Sequence, residues 1–151
     1  VSIILLFGKE RERDRFAHVK SLFEKINAGQ IEAVISLYTL QEICTYCLAN
    51  FPEEIAGNVS RIAILNLVRN RLVLFPLPSR QERMTYSRMF TIRDASDRTH
   101  VISAFLSRCE AIVAYDEHFR DSADVMPYFR PEELLARLED SWRTSSGGSL
   151  S

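Results

Sequence analysis

Glu42, Asp97 and Asp116 are three carboxylates that the apolar pattern places just past a strand or in the first turn of the helix that follows one. Each has a local explanation. Asp116 ends the apolar run "AIVAYD" and can cap the segment "EHFRDS", a contribution of about 1 kcal/mol. Glu42 fits a capping box, Thr39-x-x-Glu42, in which its carboxylate folds back onto the backbone of Thr39. Asp97 comes three residues after the expected cap Asp94, where an acid suits the helix dipole. Capping explains each acid singly, but not why all three fall on one edge. Carboxylates gathered there repel one another, and one takes up a proton unless a cation neutralises the group. A hard divalent ion with oxygen ligands, Mg²⁺ or Mn²⁺, is the natural partner. Such an ion activates water and stabilises charge on a phosphoryl oxygen, which points to phosphodiester hydrolysis.

The elements that must position these acids follow from periodicity. Phe16, Val19, Leu22, Phe23 and Ile26 recur at helical spacing over residues 13–28, and Gly29 can take the left-handed cap. "IEAVISL" (31–37) is β-branched and expected to be a buried strand, with helices from Thr39 to about Asn50 and from Pro52 to about Asn70. "RLVLFPLP" (71–78) reads as a strand ended by prolines, with a helix from Ser79 to about Phe90. Residues 94–109 form a helix in which Asp97 heads the stripe Val101, Ala104 and Phe105, so its side chain faces the sheet. A short apolar strand over 111–116, a weak strand near Val125 and a last helix from Pro131 to about Glu139 complete the pattern. Strands that alternate with helices and are apolar on both faces imply an α/β fold with a parallel sheet covered on both sides. In such sheets ligands sit beyond the carboxyl ends of the strands. Residues 1–140 are expected to form one domain, and the Gly/Ser-rich residues 141–151 a disordered polar tail.

With the acids and elements placed, "SLYTLQEI" (36–43), "DRTHVISAF" (97–105) and "AIVAYDEHF" (111–119) resemble the successive acidic motifs of PIN-domain nucleases, in order over most of the chain. The resemblance implies a three-layer α/β/α sandwich around one or two Mg²⁺ or Mn²⁺ ions and cleavage of single-stranded or structured RNA. Many short members are VapC-type toxins, usually dimeric and held inactive by an antitoxin peptide. By position, Glu42, Asp97 and Asp116 match the second, third and fourth acids of the family, and Asp94 is placed as an outer helper. One departure is Ala114, where a small hydroxyl residue is often found two before the last acid. The family's first motif is a strand ending in Asp-x-(Ser/Thr/Asn). Val1 and Ser2 match its last two positions, with "IILLF" as the apolar turn, so the first strand and its Asp are expected immediately before Val1. The alternative is that "SIILLF" is itself the strand of an acid-poor member; six apolar residues do not decide between helix and strand.

The basic residues point the same way. Of 19, only Lys9, Lys20 and Lys25 are Lys; the others are Arg, whose planar fork suits phosphate. Between Arg61 and Arg98 lie eight Arg against three acids, read either as solvated helix faces or as a phosphate-facing surface. Arg93 and Arg98 flank the acids and are the expected substrate contacts, with Ser2 from the first motif. "CTYC" (44–47) lies in a helix pattern without a second pair to complete a zinc site, so both cysteines are expected to be packed. His100 is read as a packed or hydrogen-bonded histidine, and His118 as a surface residue. Net charge is −1, and no apolar run approaches the ~20 residues of a membrane span. The odd number of cysteines, three, fits a reducing cytosol. A phosphate-accepting receiver, which also gathers acids at strand ends, calls for a Lys after the last one, and 117–151 contains none. Two classes remain: a metal-dependent ribonuclease of toxin type, cytoplasmic and dimeric, and a catalytically silent PIN-like module that binds RNA or protein.

Overall fold

The structure is a computed structural model and describes residues 1–90 and 92–146. The elements run α1 (Ser2–Phe7), α2 (Arg13–Asn27), β1 (Ala33–Ser36), α3 (Leu37–Asn50), α4 (Glu53–Val68), β2 (Leu72–Phe75), α5 (Arg80–Tyr86), α6 (Ala95–Leu106) and β3 (Ile112–Val113). A 3-10 turn (Glu117–Ser122), β4 (Tyr128–Phe129) and α7 (Pro131–Ser146) follow. The protein is mixed α/β. β1 pairs in parallel with β2, from Ala33 opposite Leu72 to Ser36 opposite Phe75, and the chain crosses between them through α3 and α4. β3 pairs in parallel with β4.

The parallel pairing expected of the strands is present, but among the described residues it forms two separate pairs, β1–β2 and β3–β4, rather than one bonded sheet. The strands are only two to four residues long, and helices supply most of the core. The middle of β2 is uncovered, with Val73 and Leu74 exposed.

Two apolar clusters organise the chain. The first packs Ile4 of α1 with Val19, Leu22, Phe23 and Ile26 of α2, Ile43 and Cys47 of α3, and Ala63 and Leu67 of α4. The second packs Phe90 and Ile92 with Val101 and Ile102 of α6, Ile112, Phe119 and Met126. The "SIILLF" segment is an α-helix rather than a strand, which discards the strand alternative: Ile4 is buried, Phe7 stacks on Tyr46, and the Gly8 amide closes the helix onto Ile4. At the end of α2 Gly29 adopts φ 74°, and the Gly29 and Gln30 amides bond to the carbonyls of Ile26 and Lys25, the double closure that a left-handed glycine permits.

Residues 141–146, expected in the polar tail, extend α7, while 147–151 lie outside the described residues. Once Pro131 has set the first turn, each further residue adds a hydrogen bond at little extra entropic cost, so the helix runs on past its apolar stripe. The weak strand expected near Val125 falls at Tyr128–Phe129.

Candidate metal centre

The C-terminal half builds the acidic cluster. Asp94 caps α6 as its position suggests: its carboxylate accepts from the Ser96 amide at 2.7 Å, from the Asp97 amide at 3.4 Å and from the Ser96 hydroxyl. These bonds, the Ser96 hydroxyl first, hold Asp94 below the usual carboxylate range. Asp94 is thereby engaged in the cap, next to the acid one turn into the helix. That acid, Asp97, is 15% exposed. Its pKa is raised, first by burial, then by the charges of Asp116 and Asp94, while His100 and His118 act against the rise.

Asp116 follows β3 and caps the 3-10 turn, accepting from the His118 amide at 2.9 Å. That turn brings the His118 ring back over the acids. Nδ1 lies 3.3 Å from Asp116 Oδ1 and 3.6 Å from Asp97 Oδ2. One donor atom from each of Asp97, Asp116 and His118 lies within 4.8 Å of the other two, the group of three metal-ligating side chains found among the described residues.

Glu42 behaves differently. The capping box expected with Thr39 does not form, because α3 starts at Leu37 and Thr39 already lies inside it. The Glu42 carboxylate instead lies 3.1 Å from His100 Nε2, and the other ring nitrogen lies 3.3 Å from Ser36 Oγ. A carboxylate only accepts, so Nε2 carries the proton, and in the neutral ring the Ser36 hydroxyl donates to Nδ1. Ser36, at the N-terminus of α3, accordingly makes no side-chain cap bond. Edge-on contacts with Tyr38 and Phe119 fix the ring further. Glu42 therefore reaches α6 through His100, one turn beyond Asp97, and stands outside the tight group of Asp97, Asp116 and His118.

The basic candidates also separate. Arg98 donates from Nε and Nη2 to the Ile92 carbonyl at 3.1 and 2.7 Å, and from Nη2 to the Arg93 carbonyl at 3.3 Å. It braces the loop before α6. Arg93 is exposed. Ser2 opens α1. Cys47 is buried and Cys44 half-buried, both as free thiols.

His118 is the surface residue expected, 69% exposed, but its approach to Asp97 and Asp116 was not foreseen. The Asp116-x-His118 spacing within a capped turn was nonetheless a usable signal, since the cap bond draws the His118 backbone onto Asp116. Nothing local announced that His100 would join Ser36 to Glu42.

An ion that holds ligands at about 2.1 Å brings adjacent donors to roughly 3 Å of one another. The two contacts of His118 are near that spacing, and with all three donor atoms within 4.8 Å of one another the group would have to draw in to hold a cation. The donor set, two carboxylates and an imidazole, fits a divalent metal. No helix among the described residues is long and apolar enough to cross a membrane. Comparison with protein-family models, curated proteins and solved structures finds no match.

Proposed function

We propose that the chain is a divalent-metal-dependent ribonuclease with a PIN-like three-layer α/β/α architecture, cleaving RNA phosphodiester bonds. The approach of Asp97 and Asp116 carries this reading: two acids from different elements meet, one of them largely buried, at the start of a helix beside a strand end. Asp97, whose proton affinity is raised first by burial and then by the charges of Asp116 and Asp94, is well suited to a cation. Asp97 and Asp116 are the residues that hold Mg²⁺ or Mn²⁺, with Asp94 fixing the turn that presents Asp97 and Glu42 held apart from them by His100. Bound there, the metal supplies a lowered pKa for water and charge stabilisation at a phosphoryl oxygen. Exposed Arg93 contacts the RNA phosphates, Ser2 lines the approach, and Arg98 keeps the Arg93 loop in place.

The toxin of a toxin–antitoxin pair, dimeric and cytoplasmic, is the form of this function that the motif order supports. Exposed apolar residues, Ile55, Ile62 and Leu65 on α4 and Val73 and Leu74 on β2, leave surface that a second copy or an antitoxin would cover. A second reading, a silent module that binds RNA or protein, is favoured by one observation: Glu42 is held by His100 rather than joined to the other acids.

Cleavage of single-stranded RNA separates the two. The wild type should cut with Mg²⁺ or Mn²⁺, stop with EDTA, and lose activity as Asp116→Asn. Intact RNA with wild type in both metals, together with retained RNA binding, establishes the silent module instead.

A further inference from the structure

We infer that His118 is a metal ligand, and that the Asp97–Asp116–His118 group selects transition-type divalent cations (Mn²⁺ through Zn²⁺) over Mg²⁺. The inference rests on Asp97 and Asp116 being a cation site and goes beyond it by assigning a third donor and a metal class.

The geometry carries the argument. His118 Nδ1 lies almost equally far from an oxygen of each acid, 3.3 and 3.6 Å, and so sits beside the point where an ion shared by both carboxylates would lie. The position is not accidental to the fold. The His118 amide is bonded to Asp116, so the residue cannot leave without undoing the cap of the 3-10 turn. Its side chain is 69% exposed, which leaves the ring free to turn by the few tenths of an ångström that ligation needs. Exposure also lets water solvate Nε2–H, the tautomer that frees the Nδ1 lone pair for a metal.

Donor chemistry then sets the preference. Carboxylates and water alone favour Mg²⁺, Ca²⁺ and Mn²⁺, whereas imidazole suits the later first-row ions, whose affinity for a mixed nitrogen and oxygen site climbs from Mn²⁺ onward. Mg²⁺ also gives up its water shell reluctantly, so it gains little from a nitrogen donor.

The competing account makes His118 a counter-charge for two crowded acids. The two differ in sign. A ligand strengthens binding, so its removal weakens Mn²⁺ and Zn²⁺ binding; a counter-charge opposes the cation, so its removal strengthens every metal alike.

The experiment titrates the full chain with Mg²⁺, Mn²⁺ and Zn²⁺ by calorimetry, as wild type, His118→Ala and Asp116→Asn, with pulsed EPR on the Mn²⁺ complexes. The expected wild type binds Mn²⁺ and Zn²⁺ at least about 10-fold more tightly than Mg²⁺. His118→Ala should lose most of that ratio with Mg²⁺ affinity changed less than about 3-fold, and should lose the ¹⁴N modulation of a directly bound imidazole. Unchanged ratios, tighter binding of all three metals, or ¹⁴N modulation that survives in His118→Ala overturns the inference while Asp116→Asn still reports the acid pair. If wild type binds no metal, the acid pair itself fails and the inference with it.

Discussion

His100 and His118 each lie between two oxygen-bearing side chains, yet in different settings. His100 is 20% exposed, joins Ser36 of β1 to Glu42 of α3, and packs edge-on against Tyr38 and Phe119. His118 is 69% exposed and touches Asp97 and Asp116 at ion-pair distance. The packed ring fastens the two halves of the fold, because Ser36 and Glu42 belong to the N-terminal half and His100 to the C-terminal one. The exposed ring fastens little and borders the acids that can take a cation. Burial rather than residue type separates the two imidazoles.

Activity should show the largest contrast. Asp116→Asn and Asp97→Asn are expected to lower kcat/KM on single-stranded RNA by about 100-fold or more, since the metal's contribution to the transition state depends on them. Far-UV circular dichroism should stay that of the wild type. Activity retained by both variants would break the assignment of the Asp97–Asp116 cluster as the functional one.

Stability should show the reverse contrast. His100→Ala leaves the buried Ser36 hydroxyl without its partner and removes packing from Tyr38 and Phe119. A loss of about 2 kcal/mol is expected in urea unfolding. His118→Ala should stay within about 0.5 kcal/mol of wild type. Equal losses would erase the distinction between the two rings.

The arginines extend the same comparison. Arg98→Ala should cost roughly 1–2 kcal/mol, because a charged donor to two carbonyls is removed. Arg93→Ala should leave stability alone and flatten the salt dependence of RNA binding by a slope of about 1. A salt slope unchanged in Arg93→Ala makes that part of the surface merely solvated.

The smallest effect concerns pH without metal. The raised pKa of Asp97 means the folded state binds its proton more readily than the unfolded chain. Between the unfolded and folded values stability therefore falls as pH rises, and the penalty is complete above the folded value. Asp97→Asn should accordingly gain stability at neutral pH and lose that gain as pH falls below the usual carboxylate range. Parallel stability curves for the two proteins across that range would contradict the crowding of the acids.

Much of this arrangement was legible locally. Asp94 as a cap, Asp97 one turn in, Asp116 capping "EHFRDS", Phe119 in the core and Gly29 in a left-handed turn all follow from residue type and short spacing, whereas the strand expected to run up to Asp116 stops at Val113. The long-range contacts were not. The pattern hydroxyl-x-x-Glu occurs at both Thr39 and Ser79, and only Ser79–Glu82 forms the box, because α5 begins there while α3 has already begun before Thr39. Glu42 is drawn instead to His100, a partner on another helix that no local pattern announces. The division of the strands into two pairs was equally hidden, since an apolar stretch does not state which of its edges will be bonded.

The most direct measurement is anomalous diffraction at the manganese edge from crystals of the wild-type protein grown with Mn²⁺. A peak within about 2.2 Å of carboxylate oxygens of both Asp97 and Asp116 is the result this account predicts. Full Mn²⁺ occupancy elsewhere, with no peak between these two acids, would contradict it.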